Sequence, residues 1–115
     1  MHRWLVPIGL AAALLAYSAA HAADDAKLKS LGEHLSQECT ACHRLDGTNN
    51  GIPPIAGWPA EMLERTLRSF QQGTRTNPVM VSVAKSLDDE QVRALALYWS
   101  TVPRVLPKAP AKAKK

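Results

Sequence analysis

Cys39-Thr40-Ala41-Cys42-His43 sets two thiols three positions apart, with a histidine directly after the second. On a helical turn, positions i and i+3 are neighbours, so both sulfurs lie on one face. Such a pair can add to the two vinyl groups of one porphyrin, and Cys-x-x-Cys-His is the attachment pattern of a c-type haem. His43 is carried under the same face, where its imidazole can reach the iron as proximal ligand. Two other uses of a cysteine pair fit less well. A redox dithiol of the thioredoxin kind sits in a βαβ pattern, and this sequence shows no strand alternation. A structural zinc needs four ligands. Cys39, Cys42, His43 and His34 could supply the atoms, but His34 and Cys39 fall on one short helix and the spacing matches no common finger.

The ends of the chain bear on whether that attachment can happen. Residues 1–22 read as a secretory signal peptide, with cleavage expected after Ala22 or Ala23. His2 and Arg3 form a basic start, Leu5 to Ala20 is an apolar run, and Ala20-His21-Ala22 has the small-x-small pattern. The run has 16 residues, against the ~20 needed to cross a bilayer. An uncleaved anchor is the alternative. Export would place the protein in the periplasm, outside the cytoplasm, where c-type haem is attached and where bare thiols tend to pair. Residues 24–106 then form one domain. It is small for a self-sufficient core, and a bound haem would enlarge its apolar interior.

Pro107 to Lys115 holds four lysines among alanine and proline and reads as a disordered basic tail. The tail accounts for most of the +4 formal charge of the 115-residue chain. Between Asp24 and Leu106, 9 Lys and Arg face 10 Asp and Glu. That balance gives no basic surface for a nucleic acid. The tail itself could touch an anionic membrane surface weakly, or act only as a solubilising extension.

Between these ends four helical stretches can be read. The first spans about Asp24 to Cys42, with Leu28, Leu31 and Leu35 at helical spacing. Gly32 interrupts it, either as an ordinary surface glycine or at a point where another backbone comes close. Gly47 to Trp58 is a loop by its breakers. The second helix begins near Pro59, faces inward with Leu63, Leu67 and Phe70, and closes at Gly73. A third, short helix follows Asn77-Pro78 through Val81 and Ala84. The fourth opens with Asp88 and Gln91 as a capping box and Leu87 and Val92 as a staple, then runs through Leu95 and Trp99 to Pro103.

A haem held by one histidine leaves one axial position open, and its occupant separates an electron carrier from a ligand-binding sensor or peroxidase. After the expected cleavage the candidates are His34, Met62 and Met80. His34 lies on the helix that carries the proximal side. Met62 falls early in the second helix, where a core role is expected. Met80 falls in the loop segment beside Pro78, far enough past His43 for the chain to round the porphyrin edge.

Cys39 to His43, Pro53-Pro54-Ile55-Ala56-Gly57, Arg75 to Met80 and an aromatic C-terminal helix together resemble the small bacterial class I c-type cytochromes. The likeness is nearest to soluble monohaem carriers, the halves of dihaem cytochromes and the haem subunit of flavocytochrome c sulfide dehydrogenase. The resemblance implies an all-α fold of about four helices around one haem, covalently bound by Cys39 and Cys42, with His43 and Met80 as axial ligands. It implies that the Pro53 carbonyl takes the imidazole proton, that Ile55, Arg75 and Asn77 support the pocket, and that Gly32 marks a close crossing against Tyr98 or Trp99. Trp58 stands where the family commonly has glutamine, so no role is carried over to it. The function implied is one-electron transfer rather than catalysis. Partners would be a periplasmic dehydrogenase, a membrane oxidase or a cytochrome complex, or a flavoprotein if the chain is a dehydrogenase subunit.

Overall fold

A computed structural model of the protein describes the backbone of residues 8–104 and side-chain exposure from residue 13. Both the start of the apolar leader and the lysine-rich segment Pro107–Lys115 lie outside the described residues. Among the described residues the order is α1 (Ile8–Cys39), α2 (Ala60–Gln71), α3 (Pro78–Lys85) and α4 (Asp89–Thr101), with no strand.

Helix α1 departs from the expected start at Asp24. Its N-terminal half is rich in alanine and leucine, strong helix formers, so nothing breaks the helix between Ile8 and Cys39. Residues 13–27 are exposed throughout, and Leu14, Leu15 and Tyr17 lie on the surface without a core behind them. The packed part of α1 begins near Leu28. Leu28, Leu31 and Leu35 are only partly buried; the fully buried positions are Gly32 and Ser36. A Cβ at Gly32 would stand 2.0 Å from the Ala94 carbonyl oxygen and 2.7 Å from the Tyr98 Cβ. Here α1 and α4 cross with their backbones almost touching, a separation only glycine permits.

Helix α2 starts one residue after Pro59, which is its N-cap, and buries Leu63, Leu67 and Phe70. Gln72 is its C-cap and Gly73 follows with a φ of +79°. Met62 is exposed rather than part of the core. It sits one residue, about 100° of helix rotation, from the buried stripe. Helix α4 is set by its N-terminus: the Asp88 carboxylate accepts from the Gln91 N–H at 2.8 Å, and the Gln91 side chain accepts from the Asp88 N–H at 3.0 Å. Val92, Ala94, Leu95, Ala96 and Trp99 are buried along it. Arg68 joins α2 to α4, donating to Glu64 at 3.0 Å on its own helix and to Asp89 at 2.7 Å. The core is therefore a layer of α4 flanked by α1 and α2. Ile55, Ala56 and Ala84 complete it, and Cys39, Trp58, Met80 and Leu87 border it.

Candidate functional site

Helix α1 delivers the cysteine pair at its last turn. The Thr40 N–H donates to Ser36 O at 3.0 Å, and the N–H groups of Cys42 and His43 both donate to Cys39 O, at 3.1 and 2.8 Å. The helical winding thus continues through the motif, and the thiols keep their i, i+3 relation. Both cysteines are free. Cys42 is exposed, whereas Cys39 is half-buried against the core. Burial pushes the Cys39 thiol above its ordinary pKa, and the Trp99 side chain beside it partly opposes the rise. The Trp99 indole N–H is fully buried, and its geometry toward the sulfur is not that of a hydrogen bond, so it has no acceptor.

His43 is buried, and its Nδ1 lies 2.7 Å from the Pro53 carbonyl oxygen. A carbonyl can only accept, so Nδ1 carries the proton and Nε2 keeps its lone pair. This second partner orients the ring and fixes its tautomer, as it does for metal-bound histidines. The loop that supplies Pro53 is itself fastened. Ile55 is in the core, and the Gly57 N–H donates to Trp99 O at 3.0 Å. Gly57 has a φ of +72°, and a Cβ on it would meet the Arg104 Cβ at 2.7 Å. The proximal loop is thereby pinned to the end of α4.

Met80 is the third residue of α3, not part of a loop. Pro78 opens the helix, a position its fixed φ favours. Asn77 is the N-cap, its side-chain oxygen accepting from the N–H groups of Val79 and Met80 at 3.1 Å each. The Met80 side chain is partly buried against the same core that Cys39 borders. Asn77 therefore acts on the backbone of Met80. Arg75 is exposed, with its guanidinium 5.7 Å from the centre of the Phe70 ring. His34 is exposed on α1.

Two residues matter to this region that the sequence reading passed over. One is the Trp99 indole N–H, whose neighbour Cys39 is 60 positions away. The other is Gln71, whose side chain donates to the carbonyls of Ala84 at 2.9 Å and Leu87 at 3.0 Å. Its signal was a polar residue on the apolar stripe of α2, four positions after Leu67.

Among the described residues no cluster of three or more His, Cys, Asp and Glu side chains could hold a bare metal ion. The residues present do fit a porphyrin iron. Two unpaired thiols stand at attachment spacing, an imidazole keeps a free nitrogen, and a thioether borders the same core. The isolated indole N–H marks a buried polar edge at that place.

No family model matches the chain. Individual proteins do. Over 65 residues it is 46% identical to a thiosulfate dehydrogenase electron acceptor of Thiomonas intermedia, covering 54% of this chain and 30% of the relative. Over 75 residues it is 37% identical to the cytochrome subunit of sulfide dehydrogenase of Chlorobaculum tepidum, covering 64% of this chain and 68% of that subunit. Over 96 residues it is 33% identical to cytochrome c-553 of Helicobacter pylori, covering 81% of this chain and 94% of the relative. The chain spans under a third of the length of the thiosulfate dehydrogenase acceptor but nearly all of the c-553. The chain belongs to the small class I c-type cytochromes, all-α electron-transfer proteins with covalently bound haem c.

Proposed function

We propose that this cytochrome is a periplasmic one-electron carrier whose haem iron is held between His43 and Met80 and whose thioether bonds are made by Cys39 and Cys42. The haem supplies the Fe(III)/Fe(II) couple. The hydrogen bond from His43 to Pro53 carries the reading, because it leaves Nε2 free at the end of the attachment motif. Ile55 and Trp99 shield the apolar side of the site, and Arg75 and Asn77 stand at the ends of the segment leading to Met80. His/Met ligation gives a higher potential than bis-histidine ligation, and Met80 is the methionine that borders the core.

The exposed stretch 13–27 of α1 supports removal of residues 1–22 on export, since the core takes no packing from it. No helix among the described residues is long and apolar enough to cross a membrane. Contact of the Pro107–Lys115 tail with an anionic surface would be weak and salt-sensitive. Electron donors of the thiosulfate or sulfide dehydrogenase kind are in keeping with the names of two relatives.

The test is the ferric spectrum. The wild-type protein should show the far-red sulfur-to-iron charge-transfer band, and Met80→Ala should lose it while keeping its covalent haem. An unchanged spectrum in Met80→Ala would sink the ligand assignment. A second reading, the haem subunit of a dehydrogenase complex, is favoured by the likeness to the sulfide dehydrogenase subunit and by the exposed Leu45, Val79 and Val83. Sizing the protein from its native host separates the two: a monomer supports the carrier, a flavin-containing heteromer the subunit.

A further inference from the structure

We propose that Gln71 is a positioning residue for Met80, holding α3 down from the end opposite to Asn77; the inference rests on the reading of Met80 as iron ligand. Helix α3 has eight residues, too few to be stable alone. Its first turn is closed by Asn77. Its last carbonyls lie past the reach of the helical ladder and are met by the turn that follows, the Ser86 N–H donating to Val83 O at 3.1 Å and the Leu87 N–H to Ala84 O at 3.2 Å; there the single amide nitrogen of Gln71 adds both of its hydrogens. One goes to Ala84 O in the last turn of α3 and the other to Leu87 O in the turn before α4. Gln71 is the last residue of α2, so one side chain joins α2, α3 and the α3–α4 turn.

The methyl of Ala84 is fully buried beneath the clamp, and Leu87 borders the core. Helix α2 also closes back toward α3: the Arg75 N–H and the Thr74 hydroxyl both donate to Ser69 O, at 3.1 and 3.0 Å. A helix tied at both ends can lift only by breaking one of these fastenings. The Met80 sulfur leaves the iron when α3 lifts, and the local opening free energy of α3 sets how readily another ligand takes its place. Asn77 fixes where Met80 starts. Gln71 sets how rarely it leaves.

The experiment compares the holoprotein with Gln71→Leu, which keeps the volume and removes both donors. The readouts are the pH at which the far-red band disappears and the affinity of the ferric protein for cyanide. In Gln71→Leu the band should vanish at lower pH and cyanide should bind roughly tenfold more tightly, the scale of the net loss of two hydrogen bonds. Gln71→Ala should move both readouts the same way and covers the case in which leucine hinders haem attachment. Arg65→Gly is an exposed change on α2 that lowers helix stability comparably. It should leave both readouts in place, which separates positioning of Met80 from general weakening. A pH profile and cyanide affinity unchanged in both Gln71 variants overturn the clamp alone. Equal shifts in Arg65→Gly also overturn it. Absence of the band from the wild-type protein overturns the Met80 reading and the clamp with it.

Discussion

Gly32 tolerates no side chain. The site of its missing Cβ is filled by the Ala94 carbonyl and the Tyr98 Cβ, both parts of a rigid helix that cannot turn aside. Gly32→Ala should therefore destabilise the folded holoprotein by about 1–3 kcal/mol, the range of overpacked cores, although alanine is the better helix former. Thermal unfolding followed at the Soret band checks this; an unchanged midpoint would mean that α1 can slide on α4. The sequence leaves this residue open between an ordinary surface glycine and a close backbone approach, and the structure shows the approach. Other residues were harder to read. The expected short helix after Asn77-Pro78 forms, but it begins at Pro78 itself and takes Met80 into its first turn, because proline breaks a helix only in its interior and begins one at the first position. The two hydrogen bonds from Gln71 reach residues 13 and 16 positions ahead. Only the packing of α2 on α3 brings those carbonyls within reach.

Among the elements, α4 was fully legible. Its capping box and its buried face are local, and the structure reproduces both. Asp88→Ala removes the carboxylate that accepts from the Gln91 N–H and should cost about 1 kcal/mol, as lost N-caps do. The loss should show as a lower denaturant midpoint, with the absorption spectrum unaltered, because α4 carries no iron ligand. A changed spectrum would mean that the N-terminus of α4 bears on the haem after all. The start of α1 was not legible, for a physical reason. The proposed leader and the helix that follows it use the same strong helix formers, and hydrogen bonding along the backbone would not register a cleavage site between them. What separates them is packing. The exposed 13–27 stretch makes none with the core, whereas the turn at Gly32 brings its backbone against that of α4.

For the whole molecule, charge is divided between a nearly neutral domain and a strongly basic C-terminal segment. Removing residues 107–115 should leave the spectrum and the potential of the haem as they were. It should weaken association with an acidic partner or an anionic vesicle at low salt, and the difference should fade near 0.15 M, where the screening length is ~8 Å. A shifted potential would show that the tail lies on the domain. The crossing at Gly32 and Ala94 has a consequence in time. Its two sides are 62 positions apart in the chain. In the proposed export, N-terminus first, Cys39 and Cys42 emerge well before α4, so the Cys39 sulfur, half-buried in the finished fold, passes through an interval in which no later helix has yet closed over it. Haem attachment can use that interval, and the arrival of Ala94 and Trp99 ends it.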